Sequence, residues 1–78
     1  MDTVSEMRGR ILRLCGERNL TINKLAAISN LPPSSVKNII YGKSNDPKIT
    51  TIKKICDGFG MTLSEFFAFD EQRNENKN

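Results

Sequence analysis

The sequence predicts an all-α domain of five short helices, and three observations predict it. Apolar residues recur at steps of three and four in successive stretches, the period of a helix with one buried face. Nowhere does a run alternate apolar and polar residues as a half-buried strand does. Between the periodic stretches stand Pro, Gly, Thr and Asn, the residues that start and stop helices. With 78 residues, such a domain hides only about 60% of the surface its unfolded chain exposes, so marginal stability is expected.

The first helix is expected from about Val4 to Arg18. Val4, Met7, Ile11, Leu14 and Cys15 form its apolar face, while Arg8, Arg10, Arg13 and Glu17 lie elsewhere. Gly9 and Gly16 each cost it about 1 kcal/mol relative to Ala, so it depends on tertiary packing. The second helix begins at Thr21, whose hydroxyl can cap a free backbone amide, with Leu20 and Leu25 placed as a hydrophobic staple across the cap. It ends near Ser29 and Asn30. Pro32 and Pro33 cannot continue it, because each lacks an amide hydrogen and biases the preceding residue towards extended geometry.

Pro33 suits the first turn of a third helix. That helix is expected to reach Tyr41, with Val36, Ile39 and Ile40 inside, and Gly42 supplies the left-handed residue that ends it. A loop from Lys43 to Pro47 follows. The fourth helix, about Ile49 to Phe59, is expected to bury Ile49, Ile52, Ile55, Cys56 and Phe59, closing at Gly60. The fifth carries a capping box: Thr62 and Glu65 stand three apart, and Met61 can pack on Phe66 across the start. Phe66, Phe67 and Phe69 form either a C-terminal plug, with two of the three in the core, or a dimer contact. From Asp70 onward the chain has nothing to bury. The division expected is one domain over 1–69, with its central two-helix motif at about 21–42, and a disordered tail over 70–78.

Charge and reactive groups narrow the function. Residues 1–69 carry ten Lys or Arg against six Asp or Glu, a modest excess that suits a polyanionic partner without requiring one. Cys15 and Cys56 sit in helical patterns with no CxxC spacing, and the chain has no His. No metal site or cofactor is therefore expected, and the thiols read as reduced core residues, with a redox pair or disulfide as the alternative. There is no Gly-rich phosphate loop and no carboxylate pair at a working spacing, so no catalytic residue is assigned and an enzyme is not expected. No apolar run approaches the ~18 residues of a membrane span, and the N-terminus lacks the basic and apolar regions of a signal peptide. A soluble, cytoplasmic protein is expected, without a small-molecule effector domain.

The third helix carries the functional expectation. With Val36 and Ile39 used in packing, Pro33, Ser34, Lys37, Asn38 and Tyr41 point outward at spacings of one, three and four. The same residues would make an ordinary solvated face. What favours function is the setting, a short capped helix, a tight turn and a second short helix, which is how such a face enters a major groove. There Lys donates to guanine O6 or N7, Asn pairs with adenine N6 and N7, and Ser serves either base or phosphate.

Thr21, Leu25, Ala26, Leu31, Val36, Ile39, Gly42, Pro47, Ile52, Ile55, Leu63, Phe66 and Phe67 together resemble the Cro and lambda-repressor type, or Xre, family of helix-turn-helix regulators. The resemblance spans about residues 5–67. It implies a compact five-helix lambda-repressor-like DNA-binding domain whose helix 3 enters the major groove. By position, Pro33, Ser34, Lys37 and Asn38 fall where the family contacts base edges. Tyr41, Lys43, Ser44 and Asn45 fall where it contacts the sugar-phosphate backbone, a role also assigned to Thr21, Asn23 and Ser35. Lys24, Lys48, Lys53 and Lys54 read as solvated charges, and Tyr41 could instead cap the end of helix 3.

This chain departs from that family at three places. The family's phosphate-touching Gln at the start of helix 2 is Ile22 here, for which Thr21 and Asn23 could substitute. Pro33 offers a base only apolar contact, such as to a thymine methyl. The Arg and Glu that the family often pairs between helices 1 and 3 are Cys15 and Ile40, which are therefore expected to touch in the core. The resemblance implies a double-stranded DNA operator as partner, with repression as the default mode and a homodimer reading half-sites about 34 Å apart. Alternatives are an antitoxin-type interaction protein with secondary DNA binding, or a domain that has lost DNA binding and uses this face for protein.

Overall fold

The computed structural model describes residues 3–43 and 46–68. Within them the chain forms α1 (Thr3–Glu17), α2 (Ile22–Ile28), α3 (Pro33–Ile40), α4 (Ile49–Phe59) and α5 (Leu63–Phe66), with no strand among the described residues. The expected fold class is the observed one. The tail expected over 70–78, together with Ser44, Asn45 and Phe69, lies outside the described residues.

Local chemistry sets each boundary. Thr21 caps α2, its Oγ1 accepting from the Lys24 amide at 3.0 Å. Thr62 and Glu65 close a reciprocal capping box on α5: the Glu65 amide donates to Thr62 Oγ1 at 3.0 Å and the Thr62 amide to Glu65 Oε1 at 2.8 Å. Pro33 opens α3 immediately after Pro32.

Four helices end the same way, on a left-handed residue followed by an amide that reaches back to a carbonyl five positions earlier. The bonds are Leu20 to Cys15 at 2.9 Å, Leu31 to Ala26 at 2.9 Å, Lys43 to Asn38 at 3.0 Å and Met61 to Cys56 at 3.0 Å. The left-handed residues are Asn19, Asn30, Gly42 and Gly60. Sequence reasoning named the two glycines but not the asparagines, whose short side chains tolerate this conformation.

Every helix contributes to one core. Ile11, Leu25, Val36, Ile39, Ile52, Ile55, Cys56 and Phe66 are essentially inaccessible. Leu20, Ile22, Leu31, Met61, Leu63 and Phe67 pack around them half-buried. Phe67 meets Phe66 edge-on, with ring centroids 5.2 Å apart. Cys15 and Ile40 are both buried members of the same core. The thiols of Cys15 and Cys56 are free, and burial pushes both above the ordinary thiol value, which suppresses thiolate chemistry.

One expectation is corrected. Ile49 continues the period of Ile52, Ile55, Cys56 and Phe59, yet it is 60% exposed. It is the first residue of α4, whereas Ile52, three residues further on, is 1% exposed. Periodicity gives the side of a helix that is apolar, not the length over which neighbours cover it.

Three arginines tie the bundle in a way periodicity does not reveal. Arg8 Nε donates to the Ile39 carbonyl at the end of α3 at 2.8 Å. An amino group of Arg10 donates to the Glu65 carbonyl of α5 at 2.9 Å. Arg18 donates to the Phe59 carbonyl that ends α4, with its guanidinium carbon 5.3 Å from the Phe59 ring centroid. Cations on these carbonyls offset the partial negative charge of helix C-termini.

Thr21→Ala is expected to destabilise the fold by about 1 kcal/mol, because it orphans the Lys24 amide. Thermal melting followed by circular dichroism should fall by about 4–8 °C, and Thr21→Ser should melt near the parent.

Candidate nucleic-acid interface

Helix α3 buries Val36, Ile39 and Ile40, and at about 100° per residue this choice determines what the opposite side presents. Pro33, Ser34, Lys37, Asn38 and Tyr41 are all exposed, Tyr41 at 66% of its surface. Ser34, Lys37, Asn38 and Tyr41 follow one another at steps of three, one and three, so they form one ridge. Ser35 lies at its flank, half-buried. Among the described residues, nothing covers the ridge.

Helix α2 holds α3 in place. Leu25 and Ala26 of α2 are fully buried, and Ile22 packs half-buried against the core. Where the resemblance leads one to expect a polar Gln, this chain thus places an apolar brace. Thr21 and Asn23 flank Ile22 and are exposed. The Thr21 oxygen is already accepting from Lys24, but a hydroxyl retains one hydrogen to donate.

The turn after α3 is closed by Gly42 at φ 80°, a left-handed conformation that other L-residues adopt only at a cost. Its amide donates to the Ile39 carbonyl at 3.3 Å. Lys43 follows, exposed, next to the end of the ridge. Ser44 and Asn45, expected to continue this backbone-facing turn, fall outside the described residues.

An open notch of about 240 Å³ separates the flank of α3 from the start of α4. Ser35, Asn38, Asp46 and Lys48 are among its lining residues. Asp46 adds a negative charge to a surface otherwise furnished with Lys37, Lys43 and Lys48, so approach of a polyanion is favoured at the turn over the notch. Sequence reasoning gave no role to Asp46 or to Arg8, the cation whose Nε holds Ile39. Their signals were absent for different reasons: Asp46 lies in a loop without periodicity, and Arg8 acts on a carbonyl 31 residues away.

The arrangement has the chemistry of duplex recognition. Side chains of middle length with fixed donors and acceptors stand on a rigid helix, and cations stand at the turn beside it. No helix among the described residues is long and apolar enough to cross a membrane.

Comparison with known proteins agrees with the fold. Residues 10–72 match the family model described as the Cro/C1-type HTH DNA-binding domain. The crystal structure of the prophage Lp1 protein 11 is similar over 85% of this chain and 87% of that one, with a TM-score of 0.74 and 33% sequence identity. No curated protein matches the chain.

Proposed function

Because the chain belongs to the Cro/C1-type helix-turn-helix DNA-binding family, we propose that it is a sequence-specific transcriptional repressor that occupies duplex DNA with α3 in the major groove. The observation that carries this reading is the uncovered ridge of Ser34, Lys37, Asn38 and Tyr41, standing opposite buried Val36, Ile39 and Ile40. Lys37 donates to guanine O6 or N7, Asn38 makes a bidentate pair with adenine, and Ser34 bonds a base or phosphate. Pro33 supplies apolar contact. Tyr41 and Lys43 hold the backbone, with Ser44 and Asn45 beyond them, and Thr21, Asn23 and Ser35 hold it from the other side of the ridge.

The mechanism is occupancy, without a catalytic step or cofactor, and it operates in the cytoplasm. A single module of this size covers few base pairs. Two copies bound to half-sites about 34 Å apart would place both α3 helices on one side of the duplex, so a homodimer on a near-palindromic operator is part of the proposal.

Selection from randomised duplexes tests binding, consensus and half-site spacing together. Lys37→Ala or Asn38→Ala should relax preference at one base pair, a loss of about 1–3 kcal/mol in discrimination. Lys43→Ala should instead weaken all sequences alike and make the salt dependence shallower by about one unit. If the two kinds of variant behave identically, the division of roles fails. If the parent does not bind any duplex even at about 50 mM salt, where phosphate contacts are strong, the DNA reading fails and the protein-interaction reading replaces it.

A further inference from the structure

We propose that Arg8 is a phosphodiester ligand of this domain, a cation outside the helix-turn-helix that grips the DNA backbone beside the turn closing α3. The proposal rests on the reading of α3 as the DNA-facing helix. Arg8 Nε donates to the Ile39 carbonyl at 2.8 Å. That bond sets the guanidinium against the turn: a methyl added at Gly42 would lie 3.7 Å from Arg8 Nη2 and 3.9 Å from Cζ. The side chain is only partly buried, and among the described residues its amino groups make no hydrogen bond.

A guanidinium has five N–H donors in a rigid fork. Arg8 uses Nε–H on Ile39, which leaves the four amino N–H groups, in the pairing geometry that suits phosphate oxygens. Electrostatics gives the placement its purpose. The last turn of α3 carries partial negative charge on its carbonyls, which would repel a phosphate approaching the Gly42 turn. Arg8 sits on that end, reverses the local sign, and joins the exposed Lys43 in a two-cation cradle. Gly42 itself is demanded by the left-handed turn at φ 80°; a methyl there would meet the guanidinium only at ordinary contact distance, so the cradle depends on Arg8 and Lys43.

The test separates charge from structure. Glutamine places its amide nitrogen the same number of bonds from Cα as the Arg Nε, so Arg8→Gln keeps a donor for Ile39 and deletes the charged amino groups. Binding of fluorescent duplexes, specific and random, is measured between about 50 and 200 mM salt at a temperature well below every melting midpoint. Arg8→Gln should melt close to the parent, lose affinity by the same factor on every duplex, and show a log K against log salt slope shallower by about 0.9. Arg8→Lys, which keeps the charge, should keep the steep slope.

A parental slope in Arg8→Gln overturns the proposal while leaving the role of α3 intact, provided the parent binds with salt dependence. A shallow slope in Arg8→Lys overturns it also. Absence of salt-dependent binding by the parent would remove the α3 reading and this proposal together. A solely structural Arg8 would alter melting without altering the slope.

Discussion

Phe66→Ala is expected to bring the domain to the edge of unfolding. Phe66 is fully inaccessible and is the one buried residue of α5. That helix has four residues, far fewer than the 12–15 or so an isolated helix needs. Its capping box and the Arg10 bond to Glu65 are surface interactions, so the aromatic plug holds it. Truncating a buried Phe costs about 3–5 kcal/mol, whereas a 78-residue domain has a total of about 4–12 kcal/mol at the usual stability per residue. Urea titration should show the midpoint falling by at least about a quarter, with α5 detached or the whole domain melting near room temperature. A loss under about 1 kcal/mol would mean that Phe67, half-buried edge-on against Phe66, can swing in and refill the site.

Much of this fold was legible because its boundaries are made by local chemistry. Thr62 and Glu65 need only each other to form a capping box, and Pro33 and Gly42 constrain their own backbone, so one segment of sequence contains the whole cause. The outward ridge of α3 was legible for a related reason: once Val36 and Ile39 are recognised as apolar at the right spacing, the geometry of the helix determines which residues face away. Ile49 was misread because its apolar character is local, while its burial depends on where other helices end.

The arginines were not legible as structural residues at all. Arg8, Arg10 and Arg18 reach carbonyls 31, 55 and 41 residues away, and any carbonyl in the chain would have looked the same on paper. Their placement also bears on the departure at Cys15 and Ile40. The family often ties helix 1 to the end of helix 3 by an Arg–Glu pair, and both positions are here apolar and buried. The polar tie persists at another position: Arg8 in α1 holds the Ile39 carbonyl, one residue before Ile40. A guanidinium on a backbone carbonyl needs no acidic partner, so the chain avoids burying a carboxylate while the cation stays at the rim, where an anionic ligand can reach it.

Gly58→Ala is the second substitution with a large expected effect, and it probes how closely α2 and α4 pack behind α3. A methyl at Gly58 would stand 2.3 Å from Ser29 Oγ, and 3.3 Å from both Ile28 Cγ1 and Ser29 Cα. The first distance is far inside van der Waals contact, and Ser29, which closes α2, is 3% exposed, so its hydroxyl is packed into this interface. Separating the helices to admit the methyl should cost about 3 kcal/mol, the upper end of the range for overpacking.

Ser29→Ala supplies the control. Its hydroxyl is buried without a hydrogen-bond partner among the described residues, a state that itself costs about 1–3 kcal/mol, so removing it should stabilise the parent slightly. In the double variant the 2.3 Å clash disappears and only the 3.3 Å contacts remain, which a shift of a few tenths of an ångström relieves. The two changes should therefore be coupled by more than about 1 kcal/mol, within the range for residues in contact, and additive denaturation energies would show that Ser29 is not what excludes a side chain from Gly58. Because α2 also braces α3, displacing it should tilt the ridge of Ser34, Lys37 and Asn38 relative to the cations at the turn. Gly58→Ala should then lose specific DNA affinity by a larger factor than non-specific affinity, since bidentate base pairing depends on orientation and phosphate attraction depends mainly on charge; Ser29→Ala in the same chain should restore the difference.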